Sequence, residues 1–280
     1  MSVDTEALRR RVRELCPDWD PDALSGFLFL EGGYSNDNYR FTYRGERFVL
    51  RQPFRRREFV DRTLESTVYG SLPPGTAPEV VALDTASGCM ISRWVPGDLL
   101  ADIEARDDML VRYLQVLHQA LPAIERTYDP LAQARAHLER CSAPRALERA
   151  AAATWNPGHT APCHNDLNPW NVIRNAGGRW VTLDWEWAGR NDPLFDLVTL
   201  HQGAALADTV LPAMAASYLG EPVARDRLEH CLRAFWLRET TWALAEIAAG
   251  NDRPEVREQR RLGLERLEGL MSQASPTSGA

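Results

Sequence analysis

The chain has 280 residues, 44% hydrophobic and 25% charged, which excludes a disordered polymer and allows a sizeable core or two lobes. A formal charge of −7 argues against a protein built to hold a nucleic-acid backbone, while leaving room for a local basic pocket. Five scattered cysteines without a CxxC pair read as free thiols in a reducing compartment. The N-terminus "MSVDTEALRRRVREL" carries no long apolar run. No later stretch reaches the roughly 18 apolar residues of a membrane span, so a soluble, cytoplasmic chain without a membrane partner is expected.

Residues 4–15 are predicted helical, with Asp4 as N-cap and Leu8, Val12 and Leu15 on one face. In "FLFLEGGYSNDNYRFTYRGERFVLRQ", strand-like runs flank a Gly-Gly turn, and Arg44-Gly45 marks a hairpin. A helix over 58–70 ends at Gly70; "LPPGTAP" is a loop; "EVVALD" and "CMISRW" read as strands. Beyond this β-rich part, Leu110, Leu114, Leu117 and Leu121 recur at helical spacing. Ala-rich helical segments follow over 130–154, then helices at about 194–219, 224–249 and 254–271, and a frayed tail. The boundary falls near Pro96-Gly97: a β-rich lobe over 1–96 binds nucleotide, and a helical lobe over 97–280 carries the catalytic loop and acceptor pocket. The fold class is α+β, a small antiparallel sheet joined to a larger, mainly helical lobe.

Within the helical lobe, "CHNDLNPWNVIRNAGGRWVTLDWEWAGRNDPLFDL" crowds carboxylates and tryptophans into one span. His164, Asp166 and Asn171 form H-x-D-x-x-x-x-N, and Asp184 follows at the end of the apolar strand "WVTLD". Phosphoryl transfer from Mg-ATP needs these types: one carboxylate free of metal to take the proton of an attacking hydroxyl, and a second carboxylate with an Asn oxygen to hold a hard cation. Asp196 lies inside the apolar run "PLFDL", where a carboxylate must be hydrogen-bonded or paired.

These segments resemble the choline kinase/aminoglycoside phosphotransferase group of protein-kinase-like enzymes. "HNDLNPWN" resembles its catalytic loop, and Asp184-Trp185-Glu186-Trp187-Ala188-Gly189 resembles the D-[FW]-E-[YW]-[AS]-G form of its metal-binding segment, as in choline and thiamine kinases. The resemblance spans about 28–250 and implies a bilobal kinase-like fold with ATP and Mg2+ as cofactors. It implies Asp166 as catalytic base, Asn171 and Asp184 as Mg2+ ligands, and His164 and Asp196 as residues bracing the loop. Upstream, "EGGYSNDNYRF" resembles the turn over the ATP phosphates, implicating Gly32, Gly33, Ser35 and Asn36. "FVLRQ" puts Arg51 where protein kinases carry a strand Lys, "VDRTLE" gives Glu65 as its partner, and "MISRWVPG" resembles the hinge, where backbone groups of Arg93, Trp94 and Val95 meet adenine. Two departures are a nucleotide loop without the full G-x-G-x-x-G and a bulky Trp170 just before Asn171.

For the acceptor, Trp185 and Trp187 flank Glu186, and Trp236 and Trp242 sit in "AFWLRETTWAL", which resembles the helix lining the choline-kinase substrate pocket. Aromatic faces with a carboxylate favour a cation without hydrogen-bond donors. The expectation is an ATP-dependent, choline- or ethanolamine-kinase-like phosphotransferase acting on a small cationic alcohol. A thiamine kinase, an aminoglycoside-type phosphotransferase and, from another class, a non-catalytic nucleotide-binding pseudokinase stay open. A metal hydrolase built on His164, Asp166 and Asp184 would explain neither the β-rich part nor Asn171.

Overall fold

The computed structural model describes residues 4–31, 36–54 and 60–273. The chain forms two compact units. One takes in the residues up to Arg106, Val116–Ile124 and Asp166–Ala188; the other holds Asp107–Gln115, Glu125–Asn165 and the residues from Gly189 onward. A single cut at Pro96-Gly97 therefore does not describe the division. Residues 166–188 group with the N-terminal sheet because their strands pair with Gly97–Leu99.

In the first unit, helix α1 (Thr5–Leu15) starts at Asp4, whose carboxylate accepts from the Ala7 N–H. Its apolar face, Leu8 and Val12, closes a core against Leu24, Phe41, Phe48, Leu50 and Ile91. These come from an antiparallel sheet of β1 (Leu24–Leu30), β2 (Asn36–Tyr43), β3 (Glu46–Pro53), β4 (Val80–Leu83) and β5 (Met90–Arg93), in the order β1-β2-β3-β5-β4. The β2–β3 turn is the two-residue Arg44-Gly45, both at positive φ, the geometry whose twist matches a tight hairpin. Its register sets Arg51 opposite Asn38 on one side and Met90 on the other.

Helix α2 (Arg62–Ser71) begins at Asp61, which accepts from the Leu64 N–H. It runs past Gly70, because the approaching Pro73 rather than the glycine stops it. Residues 58–59, also expected in this helix, lie outside the described residues, as does the tail from 274. A second, three-stranded antiparallel sheet joins Gly97–Leu99, Val172–Asn175 and Trp180–Thr182.

The second unit is helical apart from a two-stranded pair, Ala161–Cys163 with Gly189–Asn191. Helix α3 (Asp107–Ala120) contributes its first part here and stops before Leu121, ahead of Pro122. The Ala-rich region is two helices, α4 (Pro130–Leu138) and α5 (Arg145–Ala151), parted around Pro144. The helix expected over 194–219 is also two, α6 (Pro193–Gly203) and α7 (Leu211–Leu219), broken where Ala205 turns to positive φ. Helix α8 (Arg225–Ala248) is the spine, packed by α4, α6 and α9 (Pro254–Gln273).

All five cysteines are free. Among the described residues no helix is long and apolar enough to cross a membrane.

Candidate active site

The first unit buries a cluster of charges behind its sheet. Arg51, near the end of β3, grips Glu65 of α2 with both guanidinium nitrogens, at 2.6 and 3.0 Å, and reaches Asp184 at 3.2 Å. Arg62, one turn before Glu65 on α2, lies 2.7 Å from Glu65 and 2.8 Å from Glu186. The Glu186 contact is an ion pair whose N–H does not point at the carboxylate oxygen, since that oxygen takes no aligned hydrogen bond. Gly88, at φ +77, leaves the room: its carbonyl accepts from Arg51, and a Cβ there would stand 2.7 Å from Arg62 Nε.

Burial alone would strip Arg51 of its proton more easily, but the Glu65 and Asp184 carboxylates hold it above its ordinary value. Glu65 is pushed up by burial and pulled down further by Arg51 and Arg62, so it stays a carboxylate below its usual range. Asp184 goes the other way. Burial and then the Glu186 carboxylate raise it, against the pull of Arg51. Tyr69 of α2 faces the same charges; burial raises its phenol, and it hydrogen-bonds the Trp185 backbone.

The catalytic-loop candidates are stitched to Asp184 within this unit. Asn168 donates its N–H to Asp166 O at 2.8 Å and accepts from the Asn171 N–H at 3.0 Å, giving a short helical turn over Pro169–Asn171. The Leu183 N–H bonds Asn171 O at 2.7 Å, which brings the next residue, Asp184, beside the loop. Asp184 itself is left-handed, at φ 56, with its side chain 23% exposed. The Asn171 amide turns its NH2 onto Asp166, at 2.9 Å from the backbone oxygen and 3.4 Å from Oδ2, so Oδ1 is the end left to face a ligand.

His164 and Asp196 meet in the second unit. Asp196, in the first turn of α6, accepts from the His164 N–H through one oxygen and the Asn165 N–H through the other, both at 2.7 Å. Asn165 is left-handed, at φ 69, and buried. Arg238 of α8 donates to its carbonyl, and its side chain bonds Asn191 and Gly189.

The model of the phosphotransferase enzyme family matches residues 26–235, three quarters of the chain. The chain belongs to that family. A curated relative, Protein LicA of Haemophilus influenzae, is 27% identical over 68% of this chain, and the match spans only 62% of that protein's length. The fold is shared with choline kinase LicA of Streptococcus pneumoniae: TM-score 0.75, 17% identity, 95% of this chain and 99% of that one. A structure of LicA in complex with AMP gives TM-score 0.76 at 16% identity, over 96% and 100% of the two chains.

The remaining family positions divide. Gly32, Gly33 and Ser35 lie outside the described residues; Asn36 opens β2, buried. In the segment expected to meet adenine, the Arg93 N–H bonds Glu79 O and the Trp94 N–H bonds Arg47 O, so neither amide is left for a base edge. The Arg93 side chain pairs with Glu46 and Glu79 at the surface. Of the three residues named from the sequence, Val95 is the one whose amide makes no backbone hydrogen bond among the described residues.

The tryptophans expected at the acceptor differ in where the fold puts them. Trp185 is fully buried and donates Nε1 to Thr182 O at 3.1 Å, because the turn after Asp184 folds the ring into the core. Glu186 is buried against Arg62, so its charge is answered inside the protein. Trp187 is also buried. Trp236 is buried with Nε1 on Gln202, and Arg266 already occupies its face at 5.8 Å. Trp242, partly buried, stands six residues on, about 120° round the helix, so the two do not form one wall.

Arg62, Tyr69, Gly88, Asn165 and Arg238 were not singled out from the sequence. Arg238 had a signal: an arginine inside the apolar run "AFWLRETTWAL" must find a buried partner.

Proposed function

We propose that the protein transfers the γ-phosphoryl group of ATP to the hydroxyl of a small cationic alcohol, choline or ethanolamine in type. The observation that carries the reading is a single one. Arg51, paired with Glu65 and Asp184, sits in the same unit as Asn171 and Asp166, and the Leu183–Asn171 hydrogen bond ties the two groups together.

The donor set fits Mg2+. Asp184 and Asn171 offer hard oxygens. Among the described residues, Glu65, Asp184 and Glu186 gather around the guanidiniums of Arg51 and Arg62, and Asp184 is the carboxylate held unfavourably as an anion. Bound Mg2+ would neutralise charge on the β- and γ-phosphate oxygens. Asp166 accepts the acceptor's hydroxyl proton as its oxygen bonds the γ-phosphorus and the bond to the β-phosphate oxygen breaks, releasing ADP. Arg51 draws phosphate oxygens by its charge, and its buried Nε–H, which has no hydrogen-bond partner among the described residues, is one donor still to be satisfied. Asp196 holds the backbone of His164, two residues ahead of Asp166 in the chain.

With Trp185, Trp187 and Trp236 buried, the choice of a choline-like alcohol rests on the likeness to Protein LicA and choline kinase LicA. A panel of choline, ethanolamine, thiamine and an aminoglycoside with Mg-ATP, read by ADP release and product mass, tests it. Turnover of choline or ethanolamine supports the reading. Turnover of the aminoglycoside alone removes the cationic small alcohol, and no turnover at all removes the transferase.

A further inference from the structure

The geometry points to Arg238 as a positioning residue for Asp166, acting through the backbone of Asn165. This rests on the transferase reading only for its effect on turnover; the clamp stands on the contacts themselves. A residue held at positive φ persists only where its surroundings over-determine it, and Asn is among the types that tolerate the region best. At Asn165 every polar group is engaged. Asp196 accepts from its N–H, Arg238 donates to its carbonyl, its amide NH2 bonds Gly189 O at 3.2 Å and Cys163 O at 3.4 Å, and its Oδ1 accepts from Asn191 at 2.9 Å. Asn191 is locked in turn by the Trp155 indole N–H at 2.9 Å.

The two charged partners grip opposite ends of one residue. Asp196 holds the amide side, and Arg238 holds the carbonyl, which belongs to the planar peptide group whose nitrogen is that of Asp166. Fixing that plane removes a rotation that would otherwise swing the base. Arg238 is itself pinned: it is buried, its guanidinium lies over Phe195 at 5.3 Å and Phe235 at 5.7 Å, and it also reaches the Tyr128 hydroxyl and Glu239. Phe195 directly precedes Asp196 on α6, so the two halves of the clamp share one packed layer.

The test compares the whole chain with Arg238→Met, which keeps the apolar stem and removes the donor. Amide exchange at His164 and Asn165 is expected to quicken at least tenfold while amides of β3 hold their rates. In the acceptor assay kcat is expected to fall about 100-fold, the size of a misplacement of order 1 Å, with the KM for ATP within about threefold. Unchanged exchange at both amides removes the clamp, and kcat within threefold of wild type removes the positioning role. If Arg238→Met does not fold, Arg238→Lys decides: its shorter, single-ended ammonium keeps the charge but not the fork, and is expected to lose about tenfold in kcat at unchanged ATP KM. Wild-type kcat in Arg238→Lys overturns the proposal. Should the wild-type chain phosphorylate no acceptor, the transferase reading fails while the exchange rates still decide the clamp.

Discussion

Two buried groups of charges in this protein are built to opposite rules. Around Asn165 every donor meets an acceptor, and the carboxylate of Asp196 is answered by two backbone amides. Around Arg51 the accounts do not close. Among the described residues the Arg51 Nε–H has no hydrogen-bond partner, and Asp184 is raised by burial and by Glu186 beside it. A satisfied network rigidifies; an unsatisfied one is costly unless something binds. On the proposed function, the difference separates a carboxylate that serves stability from one that would hold a cation.

The sharpest way to break that contrast is to remove one acid from each group. Asp184→Asn is expected to cut turnover about 10^3-fold or more, and so is Asp166→Asn, but only the Asp184 variant weakens Mg-ATP binding in a titration followed by calorimetry. Asp184→Asn should keep or raise the melting temperature, because it deletes a charge disfavoured where it sits. Asp196→Ala should do the reverse to the fold, stranding two buried amides at about 1–3 kcal/mol each, read by denaturant unfolding. An Asp184 variant less stable than the Asp196 variant would erase the distinction.

Arg51→Met sharpens it further. Removing one partner of a wholly buried pair commonly costs about 3–5 kcal/mol. Here Arg62 stays on Glu65, and Asp184 keeps some access to water, so about 1–3 kcal/mol is expected, with a rise in the KM for ATP. A full-sized loss would mean that Arg62 does not stand in for Arg51.

The strand-rich N-terminal part, the first helix cap and the chemistry-bearing motif were legible because each is written locally: Asp4 as a cap, Arg44-Gly45 as a hairpin, Arg51 closing an apolar strand. What was not legible is which charges meet. Arg62 and Glu186 are far apart in sequence, and nothing near either one announces the pair. The tryptophans misled for a related reason. A Trp beside a carboxylate reads alike whether the ring faces a ligand or the core, and only the left-handed turn at Asp184 decides that Trp185 goes inward. The break between α6 and α7 hid in a run of alanines, where periodicity carries no signal.

Trp170 is where the smallest effect on the fold meets an open question of function. The residue is 48% exposed, so it does not cap the core, although its backbone N–H is fixed by Asn168 Oδ1 at 3.0 Å. Trp170→Ala is therefore expected to change stability by no more than about 0.5 kcal/mol, the range of surface substitutions away from special features. The loop bond uses the backbone and survives the change, so Asn171 and Asp166 keep their geometry and the KM for ATP holds. An exposed indole between the proposed base and the proposed metal ligand has no packing reason to be there; contact with the acceptor would supply one. The expected outcome is a several-fold rise in acceptor KM alone, measured against varied choline at saturating Mg-ATP. An unchanged acceptor KM would take Trp170 out of recognition, and a large loss of stability would return the ring to the core.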